Sequence, residues 1–129
     1  MNAPVITALY AALLALLVFG LTMNVVRLRR RYQVGLGDGG HQPLACALRA
    51  HGNATETIPL VLILLALVEL LGASPTALHA YGALLLIARI AHAIGLSGTP
   101  GMSFGRFYGT LATWLVLLGL VAHLLIRAL

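Results

Sequence analysis

The chain has 129 residues, of which 60 % are hydrophobic and only 9 % are charged, and its mean hydropathy is +0.99. Soluble domains carry about 25 % charged residues, so this composition excludes a water-soluble globular domain and indicates a chain surrounded by lipid. The net charge of +5 comes from eight arginines without any lysine, and four of them lie between Arg27 and Arg31. No basic stripe is interleaved with aromatic residues, so nucleic acid is not an expected partner. A cluster beside anionic lipid headgroups explains the charge better.

The first 26 residues contain no charged side chain. A bilayer core takes about 20 apolar residues to cross, so we predict a first transmembrane helix over residues 3–32. The stretch VGLGDGGHQP, from Val34 to Pro43, is rich in glycine and predicts a loop. Pro43 then suits the start of a helix.

The second helix is predicted over residues 43–71, ending at Gly72. Pro59 lies inside it, removes one backbone hydrogen bond and crowds the carbonyl of Thr55, so we expect a kink there. Ser74 followed by Pro75 is typical of a helix start, which predicts helix three over residues 75–96.

Ser103 is a candidate cap for a fourth helix over residues 103–127. Four long apolar helices joined by short loops predict an all-α, integral membrane, antiparallel four-helix bundle, forming a single transmembrane domain over residues 1–129. The arginines after helix one and Arg106 before helix four lie at one membrane face, whereas only Arg127 lies at the other. The positive-inside rule therefore predicts a multi-pass protein with both termini outside and the arginine-bearing loops in the cytoplasm.

Polar side chains recur on one face of helix two. Arg49, Asn53 and Glu56 lie at positions i, i+4 and i+7, within about 60° of one another around the helix. Such groups inside a membrane protein face the bundle or an aqueous cavity, because exposure to lipid is unfavourable.

Helix three carries Arg89 and His92 on one side, three residues apart. Glu56 precedes Glu69 by the same number of residues as His79 precedes His92, about 20 Å of helix in each case. Antiparallel pairing therefore predicts that Glu56 lies level with His92 and one turn from Arg89.

Arg106 is predicted in the first turn of helix four, where the helix dipole disfavours a cation by roughly 0.3–1 kcal/mol. A bound anion would reverse this effect. Several arginines with one carboxylate and one amide suit a ligand that has carboxylates and one cationic amine.

Structural interpretations stay open for the same residues. Arg49 and Glu56 could form an ion pair that locks helix packing, and Asn53 could donate or accept between helices. Arg89 is expected to have a carboxylate partner.

Glu69 and His79 are expected to form a polar clasp at the outer end, and Cys46 is expected to be a small buried hydrophobe. The sequence shows no paired His/Cys spacing and no metalloprotease motif, so no metal site is predicted.

Three segments together resemble the MAPEG family, the membrane-associated proteins in eicosanoid and glutathione metabolism. RAHGNATETIP, from Arg49 to Pro59, is similar to the family's R-x-x-x-N-x-x-E signature on helix two. VRLRRR, from Val26 to Arg31, resembles the basic end of its first helix. ARIAHAIG, from Ala88 to Gly95, resembles helix three of its prostaglandin E synthases. The resemblance covers essentially the whole chain.

The resemblance implies a homotrimer that holds glutathione between neighbouring subunits near the cytoplasmic face, in a bacterial inner membrane. It implies a microsomal glutathione transferase-like enzyme, with glutathione as co-substrate and a small apolar electrophile entering from the lipid. Arg106 is the predicted catalytic residue, because a guanidinium beside the glutathione sulfur favours the thiolate. The predicted glutathione-binding residues are Arg27, Arg49, Asn53, Glu56, Arg89, His92 and Tyr108.

The chain also departs from the eicosanoid enzymes of that family. Gly52 occupies the position of an arginine, Gly95 or Leu96 that of a tyrosine, and Tyr108 follows Arg106 by two residues rather than four or five. These departures argue against eicosanoid synthesis. They leave open a non-catalytic membrane protein that binds glutathione or a small anion, or a structural trimer. A proton-coupled transporter is a further alternative, against which helix one offers no carboxylate.

Overall fold

The computed structural model describes residues 3–129 and contains four helices with no strand among those residues. Each helix is long and apolar enough to cross a membrane, which confirms the predicted all-α membrane bundle. The observed ends differ from the predicted ones by at most two residues, and α2 is continuous through Pro59. The helices are α1 (Val5–Tyr32), α2 (Gln42–Leu70), α3 (Pro75–Gly98) and α4 (Phe104–Ala128).

Helices α2 and α3 form the centre of the bundle. They pack against each other and against both outer helices, whereas the backbones of α1 and α4 do not approach each other. Helices that are consecutive in the chain run antiparallel. The start of α1, the α2–α3 turn and the end of α4 lie at one end of the bundle, called here the terminal end. The loops over residues 33–41 and 99–103 lie at the other, called here the arginine end.

Short polar caps define the helix ends. The Ser74 hydroxyl accepts a hydrogen bond from the backbone N–H of Ala77 at 3.3 Å, and the Ser103 hydroxyl accepts from that of Arg106 at 3.2 Å. Both predicted serine caps are therefore present. Gly72 follows the end of helix α2 and has a φ of +80°, a left-handed conformation that glycine adopts without steric strain and that reverses the chain towards α3.

The outer polar clasp differs from the predicted one. The Glu69 carboxylate accepts hydrogen bonds from the backbone N–H groups of Ile6 at 2.8 Å and Thr7 at 2.7 Å, so it caps α1, which has no side-chain cap of its own. His79 instead hydrogen-bonds the Tyr10 hydroxyl at 3.0 Å through Nδ1. A carboxylate suits this place because the first N–H groups of a helix have no partners within it and carry partial positive charge.

Helices α3 and α4 approach so closely that only glycine fits between them. A Cβ atom added at Gly105 would lie 2.5 Å from the carbonyl oxygen of Ala91, and one added at Gly109 would lie 2.6 Å from that of Ala88. This small-xxx-small pattern is common where transmembrane helices pack backbone to backbone. The contact presses the first turns of α4 onto His92, whose Cβ lies 2.8 Å from the same added atom at Gly109.

The core and the outer surface are both apolar, as lipid solvation requires. Leucines from all four helices meet in the fully buried core: Leu14, Leu65, Leu85 and Leu120. Large apolar side chains also cover the outside of the bundle, among them Phe19, Ile63, Ile87, Trp114 and Leu118. In water such a surface would aggregate, so the outer face is one that acyl chains solvate.

Replacing Glu69 by Gln should lower the thermal stability of the purified protein. The substitution removes the charge from an acceptor of two backbone N–H groups, and hydrogen bonds to a charged group contribute about 1.5–3 kcal/mol. The midpoint of thermal unfolding in detergent measures the loss. Glu56→Gln is the matched control, because its ion pair with Arg49 is exposed and contributes little. Equal midpoints for the two variants would contradict the capping role.

Candidate functional site

A cleft of about 460 Å³ opens at the arginine end among α2, α3 and α4. Four predicted site residues line it: Arg49 and Asn53 from α2, His92 from α3 and Arg106 from α4. The remaining lining residues are Gln42, Ala45, Cys46, Leu96, Pro100 and Thr110. The cleft therefore combines two guanidinium groups, an amide and an imidazole above an apolar floor, and we call it the arginine cleft.

Arg49 and Glu56 form an ion pair at 3.6 Å along the exposed side of α2. Their side chains are 62 % and 60 % exposed, and Arg49 lines the arginine cleft whereas Glu56 does not. Gly52 lies beneath the pair, and a Cβ atom there would lie 3.1 Å from Nη1 of Arg49. The predicted internal ion pair is therefore confirmed, but both partners belong to α2, so within one chain it does not lock two helices together.

Arg89 is the most deeply buried charged group among residues 3–129, with only 2 % exposure. One guanidinium nitrogen donates to Oδ1 of Asn53 at 2.8 Å and lies 3.3 Å from Nδ1 of His92. Its Nε has no partner. The prediction of a carboxylate partner for Arg89 is therefore wrong within this chain. Arg89 is held by an amide and an imidazole, and Glu56 pairs with Arg49 instead. Arg89 stands behind the cleft rather than in its lining.

These contacts orient two side chains that do line the cleft. The interpretation of Asn53 as an interhelical link is confirmed, because its amide oxygen joins α2 to α3 through Arg89. Arginine can only donate, so Nδ1 of His92 accepts and the neutral ring carries its proton on Nε2. His92 can therefore offer an N–H donor to a ligand.

Arg106 lies in the first turn of α4, as predicted. Its Nη1 donates to the carbonyl oxygens of Pro100 at 3.1 Å and Gly101 at 3.4 Å. These carbonyls offset part of the unfavourable position of a cation at a helix N-terminus. They also hold the guanidinium at the mouth of the arginine cleft, where an anion would meet both the side chain and the helix end.

Two predicted residues lie elsewhere in the single chain. Arg27 lines a second cleft, between α1 and α3, and donates to Oδ1 of Asn24 at 2.8 Å. Tyr108 is 50 % exposed on the outside of α4, where its ring packs against Phe104 and Phe107. Neither side chain lines the arginine cleft.

Sequence reasoning missed part of the lining, above all Gln42, Cys46 and Thr110. Cys46 is buried, as expected, but it lies on the wall of the cleft. The spacing of Gln42, Cys46, Arg49 and Asn53 at i, i+4, i+7 and i+11 is a signal that could have found both α2 residues. Within residues 3–129 no group of three His, Cys, Asp or Glu side chains could hold a metal ion.

Comparison with known proteins finds one family and a bacterial relative. The MAPEG family matches residues 7–126 of the chain. The "Inner membrane protein YecN" of Escherichia coli strain K12 is 41 % identical over 116 residues, which cover 90 % of this chain and 87 % of the relative. The protein of the same name from strain O6:H1 matches to the same extent.

Replacing Asn53 by Ala should destabilise the bundle, because buried Arg89 loses its shortest hydrogen bond. A hydrogen bond to a charged group contributes about 1.5–3 kcal/mol. Thermal unfolding in detergent measures the change. Asn24→Ala is the matched control, since that amide accepts from exposed Arg27 at the same 2.8 Å. Asn53→Asp keeps the acceptor and should retain most of the stability, and a loss as large as that of Asn53→Ala would argue against this role.

Proposed function

Because this chain belongs to the MAPEG family of membrane-associated proteins in eicosanoid and glutathione metabolism, we propose that it is a membrane-bound glutathione transferase or peroxidase-like enzyme. It binds glutathione in the arginine cleft and activates the thiolate towards a small apolar electrophile. One observation carries the proposal: Arg49, Asn53, His92 and Arg106 converge from three helices on a single cleft.

The size and charge of the cleft suit glutathione. Small-molecule sites enclose about 300–1,000 Å³, and the arginine cleft measures about 460 Å³. Glutathione presents two carboxylates, one ammonium group and a thiol. Guanidinium groups bind carboxylates through paired hydrogen bonds, which Arg49 can supply, and exposed Glu56 can accept from the ammonium group. The ion pair of Arg49 and Glu56 then opens to bind the two ends of one amino acid.

Arg106 is the residue that we propose acts on sulfur. A free thiol has a pKa near 8.5, and a neighbouring guanidinium favours the thiolate, so more of the nucleophile is present at neutral pH. The thiol proton leaves to solvent at the open mouth of the cleft. The sulfur lone pair then forms a bond to the electrophilic carbon, and the bond to the leaving group breaks, with the leaving group departing as an anion.

The placement of the α2 charges favours more than one copy of the chain. Glu56 lies 14 residues before the end of α2 at Leu70, about 21 Å along the helix, which is inside a hydrocarbon core of about 30 Å. In a single chain the half-exposed charges of Arg49 and Glu56 would face lipid at that depth, which is unfavourable. A bound ligand, a second copy of the chain or both would shield them from lipid. A homotrimer with glutathione between subunits does so, and it can also bring a neighbour's Arg27 to the ligand.

The proposal also includes an orientation. The arginine end, with the cleft, faces the cytoplasm, and both termini lie outside, because positive charge is retained on the cytoplasmic side. The printed description of the Escherichia coli relative as an inner membrane protein supports a bacterial inner membrane as the location.

A non-catalytic glutathione-binding protein is the second candidate, and a specific observation favours it. Tyr108 lies outside the arginine cleft, and the lining of the cleft contains no tyrosine. The guanidinium of Arg106 is also engaged by two carbonyl oxygens, which leaves fewer donors for sulfur. Such a protein would bind glutathione through Arg49 and Glu56 without turnover.

Glutathione should raise the thermal midpoint of the purified protein, and Glu56→Gln and Arg49→Gln should reduce that increase, because each removes one half of the ligand's amino-acid contacts. Thermal shift and calorimetric titration measure binding. Arg127→Gln is the matched control for charge, since Arg127 lies at the terminal end.

S-methylglutathione, which has no free thiol, should slow the labelling of Cys46 by a thiol reagent, because Cys46 lies in the wall of the cleft. If wild-type protein does not bind glutathione, both the enzyme and the non-catalytic glutathione-binding protein are excluded.

Turnover separates the enzyme from the binding protein. Wild-type protein should conjugate glutathione to an electrophilic aryl halide, and Arg106→Ala should lower that rate by about tenfold or more while glutathione still binds. Absorbance of the thioether product measures the reaction. Arg127→Gln should keep the wild-type rate. Binding without turnover across several electrophiles would support the second candidate instead.

A further inference from the structure

A long groove runs between α1 and α3, with Pro43 of α2 at its arginine end, and it shares no lining residue with the arginine cleft. The part nearer the arginine end is the cleft of about 640 Å³ that contains Arg27 and Arg31. The part nearer the terminal end has a volume of about 380 Å³, is mostly apolar and is lined by Leu16, Leu17, Leu21, Ala93 and Ile94. The two parts share Asn24, Ile94 and Ser97, so they adjoin and form one open groove that we call the α1–α3 groove.

The groove has the length of one lipid leaflet. From Leu16 to Arg31 the helix rises by about 22 Å, and half of a bilayer of 40–45 Å is about the same. Gly20 faces the apolar part, and a Cβ atom placed there would meet nothing within 4 Å. The floor is therefore open enough to admit a chain of methylene groups.

The charged residues that line the groove lie only in the part nearer the arginine end. Arg27 and Arg31 lie one turn apart on the same side of α1 and both line it. Arg29 is used differently, because it donates to the carbonyl oxygens of Val34 and Gly37 and so holds the loop. Arg30 is exposed and does not line the groove. Two of the four clustered arginines are thus directed to one place above an apolar channel.

We propose that the α1–α3 groove binds one anionic glycerophospholipid, with the phosphate between Arg27 and Arg31 and one acyl chain along the apolar floor. Two guanidinium groups complement a phosphate and an anionic headgroup, and the shared polar residues Asn24 and Ser97 lie at the depth of the glycerol. Arg27 is also the residue that the proposed trimer would bring to a neighbour's glutathione, but Arg31 and the apolar floor take no part in the arginine cleft, so the test rests on Arg31 and Gly20.

Native mass spectrometry of the detergent-purified protein tests the proposal. Wild type should retain phosphatidylglycerol in preference to phosphatidylcholine. Arg31→Gln should lower phosphatidylglycerol binding by about fivefold, and Gly20→Leu should lower it by filling the acyl channel. Arg30→Gln removes the same charge from the same helix outside the groove and should bind as wild type does.

Three results would overturn the proposal. Equal losses for Arg30→Gln and Arg31→Gln would show a diffuse surface charge rather than a site. Displacement of the lipid by inorganic phosphate, with no effect of Gly20→Leu, would show a free-anion site. Dissociation of oligomers by Gly20→Leu, with unchanged lipid binding, would show that a second copy occupies the groove.

Discussion

The buried guanidinium of Arg89 is the constraint around which this bundle is arranged. A cation in an apolar interior requires hydrogen-bonding partners, and here they come from Asn53 on α2 and from His92 on its own helix. The contact joins the two central helices at a fixed register. The same two partners line the arginine cleft, so the group that orders the core also orients the side chains of the candidate site.

Close packing of α3 and α4 completes the cleft. Glycines at positions 105 and 109 let the two backbones approach where any side chain would collide, and this brings Arg106 to the cleft that His92 also lines. The hydrophobic effect does not drive helices together in lipid, so such van der Waals contacts and interhelical hydrogen bonds hold the bundle. The small residues therefore position the site although they contribute no chemistry to it.

The chain distributes its arginines among distinct tasks at one membrane face. Arg29 holds a loop, Arg89 orders the core, Arg49 and Arg106 line one cleft, and Arg27 and Arg31 line another. The two clefts share no lining residue, so the chain offers two separate places at which anionic groups can meet arginine side chains.

The sequence by itself determined the four helices, their ends and the gathering of Arg49, Asn53 and His92 at one depth. Lipid solvation requires long apolar runs, helical periodicity places residues four and seven apart on one face, and serine caps and glycine mark the ends. Only the tertiary structure decided which polar groups meet. Arg89 pairs with Asn53 rather than Glu56, Glu69 caps α1 rather than clasping His79, and Cys46 lies in the wall of the cleft. Depth along a helix can be counted from sequence, but partner choice depends on helix rotation and separation, which are set by packing between helices and leave no periodic signal in any one of them.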